Sequence, residues 1–89
     1  MLYMVIEEFK EGAIPVYRRF RDSGRMTPHG LSYVNSWVTS DMRRCYQLME
    51  TDDPELLKRW TDLWEDIIEF QVVPVVTSTE AAAAVGPKL

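Results

Sequence analysis

DPELLKRWTDLWEDIIEFQVVPVV, Asp53–Val76, is the stretch whose reading decides the fold. It opens as a helix. Asp53 is a good capping residue, Pro54 suits the first helical position, where a missing N–H costs little, and Glu55 sits in the first turn. Leu56, Leu57, Trp60, Leu63, Trp64, Ile67 and Ile68 then recur at i, i+3, i+4 and i+7, the apolar stripe of an amphipathic helix. Glu55 can pair with Arg59 one turn on, adding about 0.2–0.5 kcal/mol. From Phe70 to Val76 the composition changes to that of a strand. Pro74 has no N–H to give to a ladder, so this strand is expected at a sheet edge.

Working outward, Leu2 to Phe9 reads as a first strand with two apolar faces: Leu2, Met4 and Ile6 on one, Tyr3, Val5 and Phe9 on the other. Gly12 to Gly24 reads as a helix, with Pro15 in its first turn, Ala13, Val16, Tyr17 and Phe20 at helical spacing, and Gly24 as its stop. Met26 to Gly30 is a turn by composition. Leu31–Val38 and Arg43–Glu50 are two strands joined by a short polar link, a hairpin. Thr77-x-x-Glu80 resembles a capping box for a short tail helix over 77–85, ended by Gly86 and Pro87. The order β-α-β-β-α-β predicts an α+β, ferredoxin-like domain over 1–89: a four-stranded antiparallel sheet with both helices on one face.

Eighty-nine residues suit one domain. A chain of this size buries only about 60–65% of its unfolded surface, so it usually needs a staple. Cys45 is the only cysteine, which excludes a disulfide within the chain, and His29 is the only histidine, so no metal and no cofactor is expected. A partner chain is left. The net charge of −4 argues against nucleic acid. The apolar runs Val72–Val76 and Ala81–Val85 fall far short of the ~20 residues a membrane span needs, and the first residues carry no basic leader, so a cytoplasmic setting is expected.

Two helices shield only one face of such a sheet. The bare face is expected to carry Tyr3, Val5, Tyr33, Trp37 and Met49, more contiguous apolar surface than a monomer normally exposes. A second copy laid sheet to sheet is the simplest cover, making a homodimer through the open face. The segments MLYMVIEEFKEG, YRRFRDSGRM, GLSYVNSWV, RCYQLMETDDPEL and VVPVVTSTEAAAAV carry a resemblance that agrees. The chain resembles the dimeric α+β barrel superfamily and, within it, a bacterial family known as domain of unknown function 3303. The resemblance implies the fold, two sheets closed on one another, and a cleft between sheet and helices or between sheets. It implies no activity, since superfamily members range from monooxygenases and isomerases to ligand-sensing domains.

The candidate site depends on the hairpin register. If Trp37 pairs with Cys45, Asn35 with Gln47 and Tyr33 with Met49, all six share one face with Tyr3, Val5 and Glu7, and Val34, Val38, Tyr46 and Leu48 turn to the helices. A one-residue slip reverses this. On that register Tyr3, Tyr33, Asn35, Trp37 and Gln47 line a cleft for a small molecule, and Glu7 is the candidate catalytic acid or base, its pKa raised by burial. The bland alternative is that Asn35 and Gln47 bond each other and Glu7 meets solvent or an arginine. Cys45 reads as a small buried hydrophobe rather than a nucleophile, and His29 as an exposed turn residue rather than a ligand. Arg18, Arg19, Arg21 and Arg25 could hold an anion, but a solvated network with Asp52, Asp53 and Glu55 is the favoured expectation. Trp60 and Trp64 are most simply core anchors. Two functions stay open: a small-molecule site, or a non-enzymatic protein-interaction module whose sheet face is only dimer core. RNA binding fits least.

Overall fold

The structure, a computed structural model, describes residues 1–89. The elements are β1 (Leu2–Phe9), α1 (Ala13–Ser23), β2 (Ser32–Val38), β3 (Arg44–Glu50), α2 (Pro54–Asp62), β4 (Ile68–Val75) and α3 (Ser78–Val85), closed by a 3₁₀ turn at Gly86–Lys88. The four strands form one antiparallel sheet in the order β2-β3-β1-β4. This is the ferredoxin-like α+β arrangement that the order of elements predicts. β4, with Pro74, lies at an edge, where no second ladder asks for the missing N–H.

The ends of the helices follow local chemistry. The Asp53 carboxylate accepts the Glu55 N–H at 3.0 Å and caps α2. Thr77 accepts the Glu80 N–H at 3.1 Å and caps α3. Gly24, at φ 72°, ends α1 in the left-handed region that suits glycine. The apolar stripe of α2 runs past the helix itself. α2 stops at Asp62, the amides of Leu63 and Trp64 reach back only three residues, and Ile68 enters β4 opposite Phe9. The tighter turn lets Trp64 swing under the sheet-facing layer while β4 starts early enough to pair along all of β1. Glu55–Arg59 is not a pair. Lys58–Asp62 is the i,i+4 pair instead.

The register decides the faces, and it differs from the expected one. Tyr33 does pair with Met49, but an irregularity between Tyr33 and Asn35 shifts the rest of β2, so Asn35 pairs with Leu48, Ser36 with Gln47, Trp37 with Tyr46 and Val38 with Cys45. Beside this bulge Val34, expected in the core, is 47% exposed. In β1 and β3 the odd residues point to the helices. Val5, Phe9, Cys45 and Met49 form one buried cluster with Val16 of α1, Leu57 and Trp60 of α2, and Trp64. The opposite face carries Leu2, Met4, Ile6, Tyr46, Leu48, Trp37, Val73 and Val75, by the pairing of the strands. The bare face is therefore apolar as expected, but with a different set of residues. Tyr3, Val5, Glu7, Gln47 and Met49 are all on the helix side.

α3 has no buried residue. The Cα radius of gyration is 14.8 Å, above the ~12 Å of a compact chain of this length. No helix is long and apolar enough to cross a membrane.

Candidate functional site

Between the helix-facing side of the sheet and the two helices lies a cavity of about 270 Å³, lined mostly by apolar side chains. Phe9, Trp60, Trp64 and Ile68 close its inner end and are buried. Tyr17, Phe20 and Val38, exposed by 50, 41 and 38%, mark its mouth between α1 and the β2 edge. Into this apolar space project Glu7 from β1, Cys45 and Gln47 from β3, and Arg25 from the α1–β2 connection.

The polar groups form a chain. Arg25 Nε donates to Gln47 Oε1 at 2.6 Å, and Gln47 Nε2 donates to Glu7 Oε2. Gln47 is thus oriented from both ends, its carbonyl by a cation and its amide by a carboxyl group. Glu7 is only 5% exposed. Burial lifts its carboxyl from the ordinary 4.5 to about 7, while the Gln47 hydrogen bond and the charge of Arg25 oppose the rise less strongly. No buried side-chain polar atom lacks a partner, and Glu7 Oε1 has no protein partner, so that oxygen is reached from the cavity. The Arg25 Nη atoms likewise bond nothing in the protein, and Arg25 is in no ion pair. Cys45 beside them is inert as a nucleophile, because burial and then the Glu7 charge push its thiol up to about 12.

Arg25 is held firmly. Its guanidinium lies 3.7 Å over the Tyr33 ring and 5.1 Å from the Phe20 ring. Its carbonyl accepts two indole N–H groups, Trp60 at 2.9 Å and Trp64 at 3.2 Å. It sits between two left-handed residues, Gly24 at φ 72° and Met26 at φ 62°. A non-glycine residue with such a φ costs about 1 kcal/mol or more and persists where its surroundings demand it. Here two tryptophans make that demand.

The chain matches the family described as Domain of unknown function (DUF3303) over residues 1–89. It belongs to that family. No curated protein matches it. Among solved structures this DUF3303 domain is similar to the X-ray crystal structure of protein Atu4242 from Agrobacterium tumefaciens. The two are 18% identical with a TM-score of 0.50, over 88% of this chain and 96% of that one. At that identity the likeness concerns the fold alone.

The residues singled out from the sequence of this DUF3303 domain are divided by its register. Glu7 and Gln47 meet in the cavity, bonded to one another. Tyr33 supports Arg25 from below, and its hydroxyl lies 2.7 Å from Ser36 Oγ. Tyr3 packs on the same core but away from the cavity. Asn35 and Trp37 lie on the opposite face, where Asn35 Oδ1 accepts the N–H of Ser36 at 2.8 Å and Trp37 is 52% exposed. The bulge in β2 is the physical reason, since one extra residue reverses every side chain beyond it. The expected Asn35–Gln47 bond is replaced by Arg25–Gln47. Arg25, read from sequence only as one of four arginines in a solvated network or on an anion, is the one that enters the cavity. Its neighbours do behave as surface charges: Arg19 pairs with Asp66 at 2.7 Å and Arg21 with Asp22 at 2.8 Å, rather than with Asp52, Asp53 or Glu55. His29 is exposed in its turn.

Proposed function

We propose that this domain binds a small organic molecule in the cavity between sheet and helices, with Glu7 able to give or take a proton there. The observation that carries the reading is a buried carboxyl group with one free oxygen, titrating at about 7, in an apolar cavity that also holds an uncancelled guanidinium. A carboxyl at that pKa is populated as both acid and base near neutrality, the condition for general acid–base work. At about 270 Å³ the cavity lies just below the usual range of ligand sites, about 300 to 1,000 Å³, which limits it to a small guest. The test is an NMR titration with small aromatic fragments, reading the indole N–H signals of Trp60 and Trp64 and the side-chain amide of Gln47. Shifts confined to these signals support the site. Fragments that move only open-face residues, or none, count against it.

The working unit in this reading is a cytoplasmic homodimer. Two features of one chain each need apolar cover: the open sheet face centred on Met4, Leu48 and Trp37, and α3, which has no buried residue and at eight residues is too short to be stable alone. A second copy supplies both. A free, buried Cys45 suits a reducing compartment. Sedimentation equilibrium giving a monomer at micromolar concentration, with Trp37 fluorescence that of a wetted indole, would remove the dimer and leave the cavity untouched.

A further inference from the structure

The cavity's polar groups say more than that it is a ligand site. Three observations bear on the class of ligand. Arg25 has its Nε bound to Gln47 and its guanidinium packed against the Tyr33 and Phe20 rings, which leaves the Nη donors for a guest. Those donors form a planar fork, the geometry that matches a carboxylate. The second is separation. Gln47 stands between Arg25 and Glu7, so the two are linked without touching and the cation is not cancelled by contact. The third is the remaining lining, which apart from Ser36 and Cys45 is aromatic and aliphatic and offers no other cation.

We propose that the cavity takes a small, largely apolar monocarboxylate, its carboxylate on the Arg25 guanidinium, and that one proton is taken up by Glu7 as the anion enters. The proposal rests on the reading of the cavity as a ligand site and names what that site selects. With Glu7 ionised, the Arg25–Gln47–Glu7 chain is neutral overall and an entering anion faces a buried carboxylate. With Glu7 protonated, the chain carries one positive charge, and the free Oε1 side is able to present a hydrogen-bond donor to the guest. Charge balance in a poorly solvated space therefore couples anion to proton, and the coupling is reciprocal.

Only Glu7 titrates in this cavity near neutrality. From α1 it faces Tyr17, whose phenol burial pushes above its ordinary 10.0. From β3 it faces Gln47 and Cys45, the latter raised to about 12. The α1–β2 connection contributes the Arg25 cation. Trp60 and Trp64, and Ile68 and Phe70 of β4, carry no charge. An anion's affinity is then constant while Glu7 is protonated and falls up to tenfold per pH unit once it is not, above about pH 7.

The test uses the intact protein with phenylacetate, benzoate and hexanoate as probes, beside their primary amides and benzylamine, by calorimetry at pH 6.5, 7.5 and 8.5. The expected result is that the acids bind, that their affinity drops about tenfold between pH 7.5 and 8.5, and that proton uptake approaches one per anion at the higher pH. In Glu7→Gln the acids should bind with a flat pH profile. Arg25→Gln should weaken the acids by at least tenfold and the amides little. Amides that bind as well as the acids with no pH dependence overturn the anion assignment and leave the cavity a ligand site. Tighter benzylamine binding at high pH does the same. If no probe of any charge moves the Trp60 and Trp64 indole signals, the ligand site itself falls. The wild-type pH series and the acid–amide comparison need no variant, so a poorly folding substitution does not blunt the test.

Discussion

In β1 and β3 alternate residues go to opposite faces of the sheet, and both sets are apolar, yet the two faces are built differently. The helix side mixes its apolar core with Glu7 and Gln47, each only 5% exposed, and joins them to Arg25. The open side keeps its charges at the margin, as in the exposed Glu8–Arg44 pair at 3.4 Å, around a centre of Met4, Leu48, Tyr46 and Trp37. A face meant only to be covered has no reason to bury a carboxyl group that costs stability. The helix side does bury one. Polar groups placed where they are expensive point to chemistry, and apolar groups placed where they are merely exposed point to a partner.

The contrast can be broken most severely from the α2 side. Trp60→Ala should cost about 3–5 kcal/mol in urea unfolding, because it empties the core and removes one of the two N–H donors to the Arg25 carbonyl. Trp60→Phe keeps most of the bulk and should lose nearer 1 kcal/mol, the worth of one hydrogen bond. If the two variants are equally damaged, the indole N–H is what matters at this position.

Glu7→Gln should act in the opposite direction. The folded carboxyl titrates near 7 against 4.5 ordinarily, so between those values the native state holds a proton that the unfolded chain has lost. Wild-type stability should thus fall as pH rises from about 4.5 to about 7 and then level off. The glutamine variant should lack that slope and be more stable at pH 8 by on the order of 3 kcal/mol. Denaturant midpoints at pH 5 and pH 8 check both the sign and the size. A wild-type midpoint that does not decrease across this range would show Glu7 ionised and comfortable.

On the open face, Leu48→Lys should weaken self-association by about 2 kcal/mol or more, read by sedimentation, while leaving the Trp60 and Trp64 signals in place. A change in those signals instead would mean that the two faces are not independent. The smallest effect is expected at the margin. Asp66→Asn removes the partner of Arg19, whose guanidinium holds the Asp66 carboxyl down to about 2. Its contribution is present at neutral pH and lost as pH falls below 3.8 towards 2, and being exposed it should be weakened by salt.

Much of this was legible in residue order. The capping of α2 by Asp53, the edge placement of β4 by Pro74 and the two glycines bounding α1 are local effects, and each is found where composition puts it. Glu7 and Gln47 were also legible as polar residues within apolar strands. Their face was not. When both faces of β1 are apolar, alternation cannot say which one meets the helices, and no glycine or proline near Val34 announces the bulge that resets β2. Arg25 could not be told from Arg18, Arg19 and Arg21 for a different reason. Its role comes from Trp60 and Trp64, thirty-five and thirty-nine residues later in the chain, closing on its carbonyl.

The sequence by itself determined the kind and order of the elements, the α+β fold and the apolar character of both sheet faces, because helix caps, prolines and hydrophobic period act over a few neighbouring residues. Tertiary structure alone decided which face is covered, how Arg25, Gln47 and Glu7 join, and that burial raises the Glu7 carboxyl above its ordinary value. Those properties depend on strand register and on distance through a desolvated space, and neither is written in any short run of residues.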